Sequence, residues 1–287
     1  MNNLKQLGLA VQNYADVKKE LPPAGLGLST PFAAEDDSDS GTAGNNYATW
    51  AVLVFPFMEQ QNLYDQFNLA APLNDPDNQP ASARQARYNS LESHLCPSRR
   101  QPPAFTVDAP EDGGAVIDYA AVGGSGPGAG QIGGDGAMLM CGLWQPELDA
   151  DGNVRGVQWR SMVSFASISD GLSNTALFGE KFVPQPHLGK MNGDWDGPGY
   201  MSWNNFSSDD DFAKMGWSTR RMGFGLGLVR NKMDTGSTVR VRFGSYHPST
   251  SQFVMCDGSV RNLDNMTSET VLSAMAGKAD GKVVSSY

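Results

Sequence analysis

Two short stretches of the sequence carry oxygen-bearing side chains at alternate positions, the arrangement that opens a calcium-binding loop. The six residues are Asn192, Asp194 and Asp196 in the first stretch and Asp149, Asp151 and Asn153 in the second. Because calcium prefers several oxygen ligands gathered on one turn, both stretches are candidate calcium sites. Both lack the acidic residue at the twelfth position, where the first stretch has Trp203. A solvent-exposed turn rich in Asp and Asn is the alternative interpretation of each stretch.

Three tryptophans, Trp195, Trp203 and Trp217, lie in a long segment that is also rich in Gly, Asp and Met. Aromatic rings offer flat apolar faces that suit the faces of sugars. The three residues are therefore a candidate ligand-binding surface for a glycan or another solute. Tryptophans that anchor loops in the core would give the same composition, and this alternative stays open.

His247 is followed, after nine residues, by Asp257 and Gly258, and the His–Asp pair is a candidate for acid–base chemistry. A strand is expected between the two residues, and at about 3.3 Å per residue it separates them by roughly 15–20 Å. We therefore predict separate structural roles. Asp257 and Gly258 form a turn, and His247 holds the preceding loop by a hydrogen bond from its side chain to the backbone.

The sequence offers little else for catalysis. It has no G-x-S-x-G motif and only three histidines that could serve as a base. The glycine-rich run at 124–129 imitates a dinucleotide-binding fingerprint, but further glycine follows it instead of a helix. Glu180 with Lys181, and the acidic run 209–211, are interpreted as structural and solvated charges. We predict no catalytic residue and no certain cofactor, with calcium as the possible metal.

The three cysteines, Cys96, Cys141 and Cys256, lack the C-x-x-C spacing of zinc knuckles and thioredoxin-like sites. A Cys96–Cys141 disulfide that leaves one thiol over is one possibility, and the absence of any disulfide is the other. Both stay open because the spacing of cysteines does not give their connectivity.

Composition predicts a loop-rich globular protein. The 287 residues include 33 Gly and 17 Pro, and only 18% are charged. The net charge of −10 opposes binding to phosphate backbones, so nucleic acid is not an expected partner. No run approaches the roughly 20 apolar residues that a membrane-spanning helix requires.

The first element of the chain is an amphipathic helix. Leu4, Leu7, Val11 and Tyr14 recur at steps of three and four residues, and Val17 and Leu21 continue the same apolar stripe. Prolines at 22 and 23 end the helix, because proline donates no N–H and disfavours helical geometry in the residue before it. The helix opens without a capping sequence, which predicts that a further segment precedes it in the natural protein.

The C-terminal part has the clearest strand pattern. Residues 238–246 alternate between apolar and polar side chains, as in a strand. Residues 252–256 and 259–263 then form a predicted hairpin whose two-residue turn is Asp257-Gly258. Thr267 is the expected N-cap of a last helix over residues 268–276, which ends at Gly277.

These elements predict one α+β domain over residues 1–287. The N-terminal helix (1–21) packs on an antiparallel sheet within a loop-rich body (22–237). A C-terminal hairpin and short helix (238–287) complete the domain.

Several segments resemble the prepilin-like proteins of planctomycete bacteria in order and in spacing. They are NNLKQLGLA at 2–10 with Asn13-Tyr14 and LPP at 21–23, the run from Trp50 to 60, CPS at 96–98, ISDGLSNT at 168–175 followed by Gly179-Glu180, and FGSYHP at 243–248. His247 with Asp257 and Gly258 is similar to the processing-associated H-x9-DG signature of that family. Together these segments cover nearly the whole chain.

The resemblance implies a pilin-like fold and a leader, a prepilin peptidase site and an apolar anchor of about 20 residues ahead of the helix. It also implies a structural or assembly subunit of a type II secretion or pilus-like system, located outside the cytoplasm. Its partners would be other pilin-like subunits, and its membrane contact would be made by the anchor alone. An extracytoplasmic glycan- or solute-binding module that uses the tryptophan-rich loops is the alternative, and an enzyme is not expected.

Overall fold

The computed structural model describes residues 1–26, 46–110, 112–126, 134–141, 143–148, 154–193, 195–202, 217–223, 225–236 and 238–282. Within these ranges the α-helices are α1 (Asn2–Lys18), α2 (Trp50–Leu53), α3 (Gln61–Tyr64), α4 (Ala83–Arg87) and α5 (Glu269–Ala276). The strands are β1 (Gly25–Leu26), β2 (Tyr119–Val122), β3 (Met140–Cys141), β4 (Leu143–Leu148), β5 (Val154–Trp159), β6 (Ala176–Glu180), β7 (Thr219–Arg220), β8 (Thr250–Met255) and β9 (Val260–Asp264). No helix among the described residues is long and apolar enough to span a bilayer.

The central sheet has five strands in the order β7-β2-β6-β8-β9. The β2–β6, β6–β8 and β8–β9 pairs are antiparallel, and β2–β7 is parallel. A parallel pair requires a long connection, which the chain between Val122 and Thr219 provides. The predicted α+β class is therefore confirmed, while the sheet is mixed and not wholly antiparallel. Two smaller pairs lie outside it, β1 with β3 and β4 with β5.

Apolar side chains cover both faces of the central sheet. In β8, Phe253 and Met255 pack with Leu272 of α5, whereas Val254 belongs to the larger cluster that includes the buried face of α1. This division follows from the alternation of side chains along a strand. The sheet is therefore a middle layer, and β2 and β6 are buried at every position.

The predicted apolar stripe of α1 is confirmed over most of its length, since Leu4, Leu7, Val11 and Tyr14 are buried. The predicted continuation of the stripe to Val17 is wrong, because the Val17 side chain is 65% exposed. The helix ends at Lys18, and Lys19 adopts a left-handed conformation with φ 63°. This reversal ends the helical periodicity, so Leu21 is buried as part of the following segment.

A strand over residues 238–246 was predicted and is wrong. The segment contains a 3-10 turn, Val239–Val241, followed by isolated bridges from Phe243 to Lys181 and from Gly244 to Val229. Val239, Val241 and Phe243 are buried, so the alternation correctly marked the inward side chains. The N–H groups of Val241 and Arg242 bond locally, to Thr238 and Val239, and leave no strand ladder there.

The β8–β9 hairpin is confirmed, but its loop differs from the prediction. Met255 and Ser259 face each other across the ladder, and the loop between them has three residues, Cys256 to Gly258. Only Gly258 has a positive φ, 81°, whereas a type I′ turn needs two such residues. The loop is thus a type I turn followed by a left-handed glycine.

The last helix is confirmed with a different cap. Ser268 is the N-cap, and its hydroxyl accepts a hydrogen bond from the Val271 N–H. Thr267 instead donates its hydroxyl to the Asp264 carbonyl. Gly277 ends α5 as predicted.

Replacing Gly258 by valine should destabilise the fold, because the left-handed region is unfavourable for residues with a β-carbon and most of all for β-branched ones. We expect Gly258→Val to lower the free energy of unfolding by about 1–2 kcal/mol in urea denaturation. Gly227→Ala is the matched control, because Gly227 has no positive φ and its added β-carbon would lie 3.6 Å from the nearest atom. Equal losses from the two variants would contradict the turn assignment.

Candidate functional site

The topology brings ionisable residues to one end of the central sheet. β2 and β6 are antiparallel with Tyr119 opposite Glu180, so Asp118, just before β2, lies beside the end of β6. Lys181 directly follows Glu180, and its backbone N–H donates a hydrogen bond to the Asp118 carbonyl. His247 precedes β8, which begins at the same end of the sheet.

A short turn adds two arginines to this end. The Arg99 and Arg100 N–H groups both donate to the Cys96 carbonyl, and the Cys96 N–H donates to Asp118 Oδ2 at 2.9 Å. Pro97 follows Cys96 and favours such a turn because its φ is fixed. The turn therefore directs both arginine side chains toward Asp118.

Asp118 and Asp196 are the carboxylates of a buried ion-pair network. Asp118 Oδ1 lies 2.8 Å from Arg99 Nη1 and 2.5 Å from Arg100 Nη2. Arg100 also contacts Asp196 through its other terminal nitrogen, and Lys181 Nζ lies 3.5 Å from Asp196 Oδ1. The side chains of both carboxylates, Arg99 and Lys181 are fully buried, so each charge relies on protein partners in place of water.

The ionisation of the network follows from these contacts. Burial alone would raise the pKa of Asp118, but the charges of Arg100 and Arg99 outweigh it and hold that pKa well below its usual range. Burial lowers the pKa of Lys181 to about 7, against the opposing effect of Asp196. Arg100 is therefore the more strongly held partner of Asp196, since the carboxylates raise the pKa of Arg100 against burial, whereas Lys181 is farther away and its pKa is lowered.

Arg99 also fastens the segment that carries His247. Its Nη2 donates to the Gly244 carbonyl at 3.2 Å, and its guanidinium lies 5.1 Å from the centre of the Tyr246 ring. A cation over an aromatic face is attracted by the ring's quadrupole. The loop before β8 is thus held by the same arginine that pairs with Asp118.

Cys96, Glu180 and His247 form a second, compact group, here called the CEH cluster. Glu180 Oε1 lies 3.1 Å from Cys96 Sγ and 3.2 Å from His247 Nε2, and Sγ lies 3.6 Å from Nε2. Glu180 Oε2 accepts the Gln252 N–H at 2.8 Å. Cys96 and Glu180 are buried, whereas the His247 side chain is 26% exposed, so the cluster meets solvent at its histidine.

The cluster does not have the arrangement of a cysteine nucleophile with its base. In such a triad the acid orients one ring nitrogen while the other faces the thiol, but here Glu180 and Cys96 both face Nε2. Burial, with the neighbouring Glu180 charge, also raises the pKa of Cys96 to about 12. The thiol therefore keeps its proton in this state, unlike an activated nucleophile.

His247 and Asp257 have separate contact partners, as expected for residues that do not form a catalytic pair. Asp257 Oδ1 accepts from the Ser259 N–H at 2.9 Å and from the Ser259 hydroxyl at 2.6 Å, within the hairpin loop. The bond expected for His247 was wrong in its partner, because the ring contacts the Glu180 carboxylate and not a backbone group. The backbone N–H of His247 donates a separate hydrogen bond to Ser245 Oγ.

Cys96 and Cys256 are free and buried, so the Cys96–Cys141 disulfide considered from the sequence is wrong. The physical reason is the direction of Cys96 Sγ, which lies against Glu180 and His247.

The calcium interpretation of the first stretch is contradicted at Asp196. Its carboxylate is fully buried, pairs with Arg100 and Lys181, and accepts the Gly189 N–H at 2.8 Å, so it is not available to a loop-bound cation. Asn192 is exposed and donates to Asp108. Asp194, and Asp149, Asp151 and Asn153 of the second stretch, lie outside the described residues.

The tryptophans do not present a common face in the part of the chain that the structure describes. Trp217 is 2% exposed, so its ring is core and offers no stacking face. Trp195 stacks on His187 with ring centres 4.2 Å apart. Trp203 lies outside the described residues.

Sequence reasoning missed the arginines and Asp118. One signal was present, since Asp118 interrupts the apolar run from Ala115 to Val122, where a buried charge requires a partner. The partners themselves, Arg99 and Arg100, carry no periodic pattern that would have identified them. Glu180 had been interpreted as a structural residue at a strand end, and its position at the end of β6 agrees with that.

Comparison with known families covers nearly the whole chain. A model of the family described as "Protein of unknown function (DUF1559)" matches residues 1–270. The chain belongs to this family. Its members are planctomycete-type prepilin-like proteins, as the sequence resemblance implied. No curated protein matches the chain, and no solved structure does. The ion-pair network and the CEH cluster of this DUF1559 protein both lie inside the matched region.

Replacing Asp118 by asparagine should strongly destabilise this DUF1559 protein, because Arg99 and Arg100 would be left as buried charges without their shared carboxylate. Removing one partner of a buried pair typically costs about 3–5 kcal/mol, and we expect a loss of that order in urea unfolding. Asp16→Asn is the control, since the Asp16 side chain is 87% exposed, and it should change stability by no more than about 0.5 kcal/mol. A similarly small effect for Asp118→Asn would contradict the network.

Asp196→Asn should make the free energy of unfolding depend less steeply on pH at acidic pH. Burial alone would raise the Asp196 pKa, but Arg100 and Lys181 outweigh it and lower the pKa from 3.8. A carboxyl whose folded pKa is depressed adds stability above its unfolded pKa, and this stability is lost as pH falls through the folded pKa. From about pH 4 downward, the unfolding free energy of the wild type should therefore fall more steeply than that of the variant. If urea unfolding at each pH gave the same pH dependence for the wild type and the variant, the lowered pKa of Asp196 would be contradicted.

Proposed function

We propose that this chain is the globular part of a pilin-like structural subunit that assembles with like subunits outside the cytoplasm. Membership in a family of prepilin-like proteins supports the proposal. So does the arrangement of α1, a long helix laid along the sheet, as expected where a helix links a globular part to a shared helical core. The proposal includes an apolar anchor ahead of α1, which would make the contact with the membrane.

The two-sided character of α1 is the observation that carries the proposal. One face is buried against the sheet, and the fit is close enough that a β-carbon on Gly8 would lie 3.0 Å from Val254 Cγ1. The outward face carries Leu9, 62% exposed, and Val17, 65% exposed. Apolar side chains of this size on an exposed helix suit contact with a neighbouring helix in an assembly.

The H-x9-DG run is proposed to be the processing-associated signature of the family. Its residues support a structural role, because His247 is tied to the CEH cluster and Gly258 shapes the hairpin loop beside α1. The loop is joined to the helix by Gln12, whose Nε2 donates to the Cys256 carbonyl at 2.6 Å. The signature would then preserve the hairpin loop that α1 contacts.

The alternative, a glycan- or solute-binding module that uses Trp195, Trp203 and Trp217, has weaker support. Trp217 is buried, and the ring of Trp195 is stacked on His187. A groove of about 730 Å³ lies beside α4, but neither of the two described tryptophans, Trp195 and Trp217, lines it. We therefore favour the structural subunit.

The exposed face of α1 provides the test. The full natural precursor, expressed in a host with a type II secretion or pilus system, should yield surface filaments or crosslinked ladders of the subunit. Leu9→Glu should reduce that assembly at least several-fold, because it places a charge in an apolar contact between helices. Monomer stability should change by no more than about 0.5 kcal/mol, since Leu9 is exposed.

Met266→Glu is the matched control, because Met266 is a large apolar residue that is 66% exposed far from α1 in sequence. It should leave assembly unchanged. Equal assembly of Leu9→Glu and the wild type would contradict the role given to α1. Failure of the wild-type precursor to form any multimer would overturn the proposed function itself.

A further inference from the structure

We propose that Cys96, Glu180 and His247, the CEH cluster, bind one zinc ion. The three side chains are ordinary zinc ligands and come from the turn before Arg99, the end of β6 and the loop before β8. Among the described residues, this is the group whose Cys, His, Asp or Glu ligand atoms converge closely enough for a shared metal. The site is distinct from the assembly face of α1, and neither proposal depends on the other.

The separations of the ligand atoms fit a tetrahedral ion. Zinc bonds of about 2.0–2.3 Å at tetrahedral angles place neighbouring ligand atoms about 3.3–3.6 Å apart. The three distances in the cluster are 3.1 Å from Sγ to Oε1, 3.2 Å from Oε1 to Nε2 and 3.6 Å from Sγ to Nε2. Shifts of a few tenths of an ångström would therefore complete three corners of the tetrahedron.

The charges of the cluster also suit a divalent cation. With the Cys96 thiolate, the Glu180 carboxylate and a neutral His247, the complex with Zn²⁺ has no net charge, which limits the cost of burying it. The Arg99 charge also acts on Cys96 and His247, but its guanidinium donates to Asp118 and to the Gly244 carbonyl. Arg99 therefore does not occupy the Glu180 carboxylate, which contacts Cys96 and His247.

The surroundings hold the three ligands in position. Glu180 Oε2 accepts the Gln252 N–H, which leaves Oε1 to point at the cluster. The Cys96 N–H is held by Asp118, and the His247 N–H by Ser245 Oγ. Such outer partners fix the direction of metal ligands. The partial exposure of His247 gives the ion an entry path and leaves the fourth corner to water.

Binding exchanges the thiol proton for the metal. The Cys96 S–H bond breaks, its proton passes to solvent or buffer, and the thiolate sulfur donates its electron pair to Zn²⁺. No oxidation state changes. The soft thiolate with one imidazole favours zinc over calcium or magnesium, which prefer all-oxygen sites.

The test uses the 287-residue chain, freed of metal with a chelator and then given Zn²⁺ or Co²⁺ alone. Zinc should raise Tm by several degrees with a stoichiometry of one, because it binds the folded state. Cobalt should give a thiolate-to-metal charge-transfer band in the near ultraviolet. Calcium at the same concentration should leave Tm unchanged.

Two ligand variants and one control assign the site. His247→Gln removes the partly exposed ligand, and Cys96→Ser removes the thiolate. Each should weaken zinc binding beyond the roughly 10–100-fold expected from losing an outer partner, and Cys96→Ser should abolish the cobalt band. Cys256→Ala removes the other buried free thiol and should retain both signals. Far-UV circular dichroism checks the fold of each variant, and His247→Gln still decides the question if Cys96→Ser does not fold.

Two outcomes would overturn the site. One is the absence of both zinc stabilisation and a cobalt band in the wild type. The other is unchanged zinc affinity and an unchanged cobalt band in His247→Gln, which would place the metal elsewhere in the chain.

Discussion

The buried Asp118 carboxylate is the charge on which the polar end of the sheet depends. It pairs with Arg99 and Arg100 and accepts the Cys96 N–H, without any contact with solvent. A buried ion is tolerated only where fixed partners replace its lost hydration, so each of these groups has little positional freedom. Arg100 extends the constraint to Asp196, and Arg99 extends it to the loop before β8. One carboxylate therefore aligns four segments that are far apart in the sequence.

Much of the fold was predictable where a short pattern decides the structure. The stripe of α1 and the β8–β9 hairpin were predicted because periodic burial and an Asp-Gly turn are local signals. The segment 238–246 shows the limit of such signals. Its alternation correctly marked Val239, Val241 and Phe243 as buried, yet alternation does not determine where the backbone N–H groups bond. The predicted helix ends and turn lengths were wrong by one to three residues for the same reason, since they depend on single hydrogen bonds.

The candidate site was much less predictable, because its ion pairs join residues separated by long stretches of chain. Arg100 and Asp196 are 96 positions apart, and no spacing rule connects them. The alternating oxygen side chains near Asp196 indicated a cation, and the structure does place cations there, but they are the side chains of Arg100 and Lys181. Residue type thus identified the need for positive charge, whereas only the tertiary structure identifies its source.

β8 gives the spacing between His247 and Asp257 a physical meaning. At one end of the strand the His247 ring lies on Glu180, and at the other the hairpin loop receives Gln12 of α1 on the Cys256 carbonyl. The strand between these contacts is packed on both faces, so its register is fixed on each. A one-residue insertion would exchange the two faces and displace one of the end contacts. The spacing between His247 and Asp257 therefore constrains both the contact of α1 with the hairpin loop and the position of His247 in the CEH cluster. The single strand β8 thus links the proposed assembly helix to the proposed zinc site.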